Sequence, residues 1–455
     1  MARTFNSIGS LIFSLILIFA TTRSGPGGYR LDFVADAEQG DPQIDSVFLP
    51  IVLKNFTSTA NYYVDSEKGS DDNPGTTPDL PWQNLTKVQA TRFIPGSVIH
   101  FKRDSSWTGS LLIHDSGEPG DPITFTAYGS GQLPVLRNPG DSNNRTKAVV
   151  IDADWIVVED FLIQDVFLAG VQVLKNSEHN VIRFVEVTGT GFGVVLEGQS
   201  NLVMGSYIHD LHMVNNTPGG NDDYGAVGVS IENSFNEVSY NRILNCIAPS
   251  YDFGVDGGAV EWWSTADGIS VHHNWASEND GFLEVGGGSA RNATVAYNVS
   301  VNNSRFAAFN LDGAYGSIVE DFRIENNTIV EIATEKRGWD VLWFSSVPIS
   351  NTVLLRNNLM YVDWFSTVAN RAGFAHSHNL YYLLNGTELN FEPGPDELLT
   401  DPTFVDLANR NFKLLESSPA IDAGLFLDYS LDFEDAPVPV GLAPDLGAYE
   451  YQEEH

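Results

Sequence analysis

Two glutamates, Glu261 and Glu284, occupy the same place in two similar segments. Glu261 lies in Gly258-Ala-Val-Glu-Trp-Trp263 and Glu284 in Gly281-Phe-Leu-Glu-Val-Gly286. Paired carboxyl groups suit cleavage of a glycosidic bond, which needs one protonated and one ionised group. They are the candidates for acid/base and nucleophile. Asp312, in Ala307-Ala-Phe-Asn-Leu-Asp312, is the reserve carboxylate that would activate water. Asp256 and Asp280 each precede a glycine. With Trp263, Asn310, Trp343, Tyr224 and Arg305 they form the candidate substrate-binding set. Aromatic faces would take the apolar side of a sugar ring, and polar groups its hydroxyls.

The elements that must position these residues repeat. Gly193-Val-Val-Leu-Glu197, Gly228-Val-Ser-Ile-Glu232 and Asp340-Val-Leu-Trp-Phe344 follow the same short pattern. Each reads as a strand, and their spacing is that of a solenoid with variable insertions. A second motif follows each strand: Tyr240-Asn-Arg-Ile243, His273-Asn-Trp275, Tyr297-Asn-Val299, Asn326-Asn-Thr-Ile329, Asn357-Asn-Leu359 and His378-Asn-Leu380. Two in-phase strands per period with Asn at the bend describe an all-β fold, a parallel β-helix, right-handed by the crossover rule. The bend asparagines are expected to hydrogen-bond along the axis.

Neighbouring coils stack about 4.8 Å apart, so spacing in sequence becomes adjacency in space. If Val260 and Trp262 point inward, Glu261 points outward, and the outward column reads Ser230, Glu261, Glu284, Asn310, Trp343. The column two residues on reads Glu232, Trp263, Gly286, Asp312, Ser345. Carboxylates on adjacent coils would have the separation of retaining glycosidases, and those two coils apart the inverting one. A solvated acidic ladder is the alternative. Arg305, before the Asn310 strand, is the candidate base for a second chemistry, proton abstraction from a uronate. Only Arg291, Lys336 and Arg337 are other cations near this region, and their scarcity weighs against that chemistry.

Gly96-Ser-Val-Ile-His-Phe-Lys-Arg103 and Gly120-Asp-Pro-Ile-Thr-Phe-Thr-Ala-Tyr-Gly129 resemble the opening coils of secreted right-handed parallel β-helix proteins, the pectate-lyase-like group. Tyr63-Val-Asp65, Asn73-Pro-Gly75 and Pro81-Trp82 resemble its N-terminal cap. Asp401-Pro-Thr-Phe-Val-Asp406, Ser418-Pro-Ala-Ile-Asp-Ala-Gly424 and Asp445-Leu-Gly-Ala-Tyr-Glu450 resemble its closing segment. The resemblance implies the fold and export. It leaves the activity open, because the group mixes polysaccharide lyases, glycoside hydrolases, epimerases and binding proteins.

The expected organisation is a signal peptide over 1–23, a linker over 24–60, and the β-helix domain with end caps over 61–455. Leu11 to Phe19 is an apolar run too short for a comfortable membrane span, with Ala20 offering a small residue for cleavage. A short helix over Pro81 to Ala90 is expected to plug one end, and an irregular proline-containing tail from Asp401 the other. The single cysteine, Cys246, excludes an internal disulfide framework and is expected to fill the core. A net charge of −35 argues against nucleic acid as partner. A secreted monomer acting on a polysaccharide is expected, with no span after signal cleavage and no required cofactor. Calcium is left open by the oxygen-rich loops Gly69-Ser-Asp-Asp-Asn73 and Asn221-Asp-Asp223. His209 and His212 offer a weak zinc pattern, and no metal ligands are assigned. Hydrolysis of a neutral glycan is the leading reading. A polyuronate lyase or epimerase and a non-catalytic glycan-binding protein are the alternatives.

Overall fold

The computed structural model describes residues 60–312, 316–332, 341–346, 352–363, 374–384 and 388–453. The expected signal peptide, all of the expected linker except Ala60, and Lys336 and Arg337 lie outside the described residues. The rest is a right-handed parallel β-helix. Twelve strands, from Asn61–Val64 to Phe374–Ser377, stack in parallel as one sheet. A second stack runs through Tyr207–His209, Arg242–Leu244, Trp275–Ser277, Val299–Val301, Thr328–Glu331, Leu359–Val362 and Leu380–Leu383. A third runs through Val227–Ile231, Gly258–Trp262, Leu283–Val285, Ala307–Phe309 and Leu342–Phe344. Inward positions are β-branched, aliphatic or aromatic, such as Val238, Val271, Val295 and Ile324 in the first sheet, all fully buried. Cys246 is buried among them.

The bends explain why asparagine recurs. Tyr240, His273, Tyr297, Asn326, Asn357 and His378 all adopt the left-handed conformation just before the ladder residue. The Oδ1 of Asn274 then accepts from the Asn241 N–H at 3.0 Å, and Asn298, Asn327, Asn358 and Asn379 continue the chain of bonds. Each side-chain amide also bonds coil to coil, so backbone groups buried at the bend find partners. The ladder ends on Glu397, which accepts from Asn379 Nδ2 at 2.8 Å.

Two expectations about the ends change. The N-terminal helix is Leu85–Ala90, shorter than expected. Asp71 Oδ1 accepts from the Gln83 and Asn84 N–H groups, and Trp82 bridges to Val64, so residues before Leu85 stay extended as part of the first coil. The far end is closed by Phe391 against Tyr381 and by Leu398–Leu399 pairing with the last full strand. The tail beyond runs back along the flank instead of capping the end. Phe412 stacks on Trp275 at 5.8 Å, Ala448 N–H bonds Thr328 Oγ1, and Tyr240 donates to Asp435. The cause is apolar surface: Val299, Val301, Val330 and Leu359 face outward from the second stack and need cover.

Candidate active site

The third stack carries the site. Its outward column reads Gln172, Val195, Ser230, Glu261, Glu284, Ala308, Trp343 in direct register. Glu261 and Glu284 are therefore neighbours across one coil step, as their spacing predicts, and Trp343 holds its expected place. Asn310 does not. Ala308 stands above Glu284, and Asn310 belongs to the next column, bonding through its N–H to the Val285 carbonyl. Asp312 lies two residues beyond that, exposed after the strand, outside both columns. The strand begins at Ala307, whose small side chain hides its inward role. A slip of two residues preserves the alternation of faces, so alternation does not reveal it.

Trp263 directly follows the strand that holds Glu261. Its ring lies over Gly286, where an added Cβ would come within 2.6 Å of the indole. The space left by the missing side chain at Gly286 is thus filled by tryptophan. The indole N–H donates to Glu261 Oε2 at 2.9 Å, and Trp263 itself stays 44 % exposed. Glu261 is only 6 % exposed, its Oε1 in space that a side chain at position 258 would take.

Arg305 organises the other carboxylates. Its Nη2 lies 3.1 Å from Asp280, whose side chain is 3 % exposed, and its Nη1 lies 4.0 Å from Glu284, 29 % exposed. A guanidinium between two carboxylates is a donor and a counter-charge, which removes it as the candidate base. Asp256 arrives from a hairpin of Ala248–Ser250 and Gly254–Asp256 inserted between the second and third stacks. Its Oδ1 accepts the Gly257 N–H at 2.9 Å. Two carboxylates thus flank one cation, and Asp256 and Glu261 lie near enough to feel its charge.

Burial dominates their protonation. It pushes the Asp256 carboxyl up to about 7, with Glu284 and Asp280 adding to the rise. Burial also holds Glu261 well above the usual range, helped by the charges of Glu284 and Asp256. Glu284 rises as well through burial, but the Arg305 cation opposes the rise. The cluster therefore separates into Glu261 and Asp256, which neighbouring like charges push further toward keeping a proton, and Glu284, whose rise the Arg305 cation opposes.

The remaining candidates disperse. Tyr224 accepts a hydrogen bond from Arg145, with its ring beside Phe192. Arg291 pairs with Glu320 and Asp267. His209 pairs with Asp210 and Glu186, while His212 faces the Phe167 carbonyl, so the two do not converge on one zinc position. Asp222, Asp223 and Asp252 bring carboxylate oxygens within 4.8 Å of one another. Asp223, however, already accepts from Ser250 Oγ and from the Asp252 and Thr217 N–H groups.

Carboxyls raised by burial make a testable signature. Asp256 and Glu450 rise to about 7 and Glu331 to about 8, each through burial first. A raised folded pKa contributes stability that is fully present below the unfolded value and lost as pH climbs through the folded one. The melting temperature is therefore expected to be several degrees higher at pH 6.5 than at pH 9. Below pH 6.5 the half-buried His273, held down at about 4 by desolvation, works in the opposite sense. Thermal unfolding followed by circular dichroism checks this. A flat or inverted trend between those two pH values contradicts it.

No protein-family model matches the chain. One stretch is 37 % identical over 90 residues to a lacto-N-biosidase of Bifidobacterium longum subsp. longum, covering 18 % of this chain and 6 % of that protein. Among solved structures, pectate lyase Pel9A aligns with a TM-score of 0.57 and 16 % identity, over 87 % of this chain and 97 % of its own. XylC in complex with xylose aligns with a TM-score of 0.52 and 11 % identity, over 87 % and 99 % respectively. The shared feature is the fold: this chain is a parallel β-helix resembling that of pectate lyases.

Proposed function

We propose that the chain is a carbohydrate-active enzyme, a glycoside hydrolase that cleaves a neutral glycan lying against the third stack. The observation that carries this reading is the carboxyl cluster of Asp256, Glu261, Asp280 and Glu284, with Arg305 paired to Asp280 and Glu284. The local likeness to a lacto-N-biosidase supports the same class.

In this reading Asp256 is the general acid. It is partly exposed, and a carboxyl with a pKa of about 7 is matched to proton donation near neutrality. Glu284, partly exposed and beside Arg305, is the nucleophile or general base. Glu261 lies beneath Trp263, so it acts by shaping the charge and position of its neighbours rather than by reaching the substrate. Its stacking on Glu284 consequently does not set the separation of the reacting pair. Asp280 anchors Arg305, and Trp263 offers its exposed face to a sugar ring.

The lyase alternative has less support. A uronate needs cations to offset its carboxylates, and Arg305 is engaged by Asp280 and Glu284. Glu197 and Glu232, on preceding coils, extend the negative face. Incubation with neutral polysaccharides (xylan, galactan, mannan) and with polygalacturonate, assayed for reducing ends and for the ultraviolet absorbance of unsaturated uronides, tests the choice. New reducing ends without that absorbance are expected from a neutral polymer. Unsaturated products from polygalacturonate would reverse the assignment, and no cleavage would favour a binding protein.

A further inference from the structure

Two hairpins stand beside the carboxyl cluster on consecutive coils. One pairs Met213–Asn215 with Tyr224–Gly225, and the other pairs Ala248–Ser250 with Gly254–Asp256. They are tied together. Asp223, buried in the first, accepts from Ser250 Oγ at 2.7 Å and from the Asp252 N–H at 3.0 Å. Asn216 donates to the Pro249 carbonyl at 2.9 Å and accepts the Tyr251 N–H at 3.1 Å. The Asp222 N–H donates to Asp252 Oδ2 at 2.9 Å. A loop tip with this many cross-bonds is held in place rather than left to fray.

Yet its aromatic side chains face water. Tyr251 is 68 % exposed and Phe253 is 41 % exposed. Five hydrogen bonds that hold a tip rigid while it presents two large rings to solvent call for a use of those rings. The strand leaving the tip runs from Gly254 to Asp256, so the Phe253 backbone stands about 10 Å from that of the proposed acid. That reach exceeds one sugar ring and falls within a short oligosaccharide.

We infer that Tyr251 and Phe253 form a distal glycan subsite, stacking on a pyranose of the same neutral polysaccharide whose bond is cut beside Asp256 and Glu284. The inference rests on the glycan-cleaving reading above for the identity of the occupant. Its grounds are continuity and chemistry. The same hairpin delivers Asp256 to the cluster, and flat rings on a rigid support match the apolar face of a sugar. The neighbouring carboxylates accept hydrogen bonds from hydroxyls and repel a uronate chain. A subsite this far from the reacting bond adds affinity for long chains without touching the chemistry.

The test is the double variant Tyr251→Ala/Phe253→Ala, with both rings removed from exposed positions. On the neutral polymer that the wild type cleaves, KM is expected to rise roughly tenfold with kcat unchanged. On the shortest oligosaccharide that the wild type cleaves, both constants should stay as they are. An equal KM on the polymer overturns the subsite while leaving the hydrolase reading intact. If the wild type cleaves none of xylan, galactan or mannan, affinity electrophoresis in gels containing each polymer decides the subsite separately. Retardation of the wild type that the variant loses supports it, and the absence of any such difference overturns it.

Discussion

Glu284→Gln is expected to lower kcat by about 10²–10⁴, and Asp256→Asn by a similar factor, the usual loss on removing a general acid, base or nucleophile. Glu261→Gln should behave differently, costing less than about tenfold. Burial and two neighbouring carboxylates keep Glu261 protonated near neutrality, and Gln has the shape of a protonated Glu. Its carbonyl oxygen can still accept the Trp263 indole N–H. The three variants should share the wild-type circular dichroism spectrum. Asp256→Asn should also remove the fall in activity that the wild type shows as pH rises through about 7. Initial rates on a cleaved polymer separate the roles. Should Glu261→Gln prove as crippled as Glu284→Gln, Glu261 touches the reacting atoms and Trp263 must move to uncover it.

Arg305→Met should destabilise the domain by about 3–5 kcal/mol, the range for removing one partner of a buried ion pair. The Asp280 side chain is 3 % exposed and would lose its cation in surroundings that water scarcely reaches. Glu284 would lose the one charge that opposes its burial, so its carboxyl would rise further and ionise less near neutrality. Activity should fall, and the acidic limb of the pH–rate profile should move to higher pH. The double variant Asp280→Asn/Arg305→Met discriminates among explanations. Removing the buried anion as well should restore much of the stability, measured by urea denaturation, but not the activity. Full stability in the single variant would show that Asp280 is adequately satisfied without Arg305, and the electrostatic account of the cluster would fail with it.

Much of this architecture is legible in the chain itself because a parallel solenoid converts period into contact. The alternation around Val260, Glu261 and Trp262 assigns faces, and the 23-residue step from Glu261 to Glu284 assigns neighbours. The bend asparagines declare themselves by recurrence, since each coil presents the same buried backbone groups to be satisfied. Cys246, following the Tyr240-Asn-Arg-Ile243 segment, is buried as expected of a free cysteine in that place.

What the chain does not declare depends on side chains from different coils meeting in three dimensions. The two-residue offset that replaces Asn310 with Ala308 leaves the alternation unchanged, so only the stacked register settles it. Glu261 reads as an outward carboxylate and is one, but Trp263 folding over Gly286 covers it, which shifts the exposed chemistry to Asp256 and Glu284. Arg305 changes from candidate base to counter-ion for the same reason: its role depends on Asp280 and Glu284 lying beside it. The tail reverses along the flank because Val299, Val301 and Leu359 expose apolar surface there, a property of the assembled face and not of any one strand. Local periodicity therefore determined the fold and the adjacency of the two glutamates. The protonation and accessibility of each carboxyl were decided by tertiary packing, since both depend on what lies across the coil rather than along the chain.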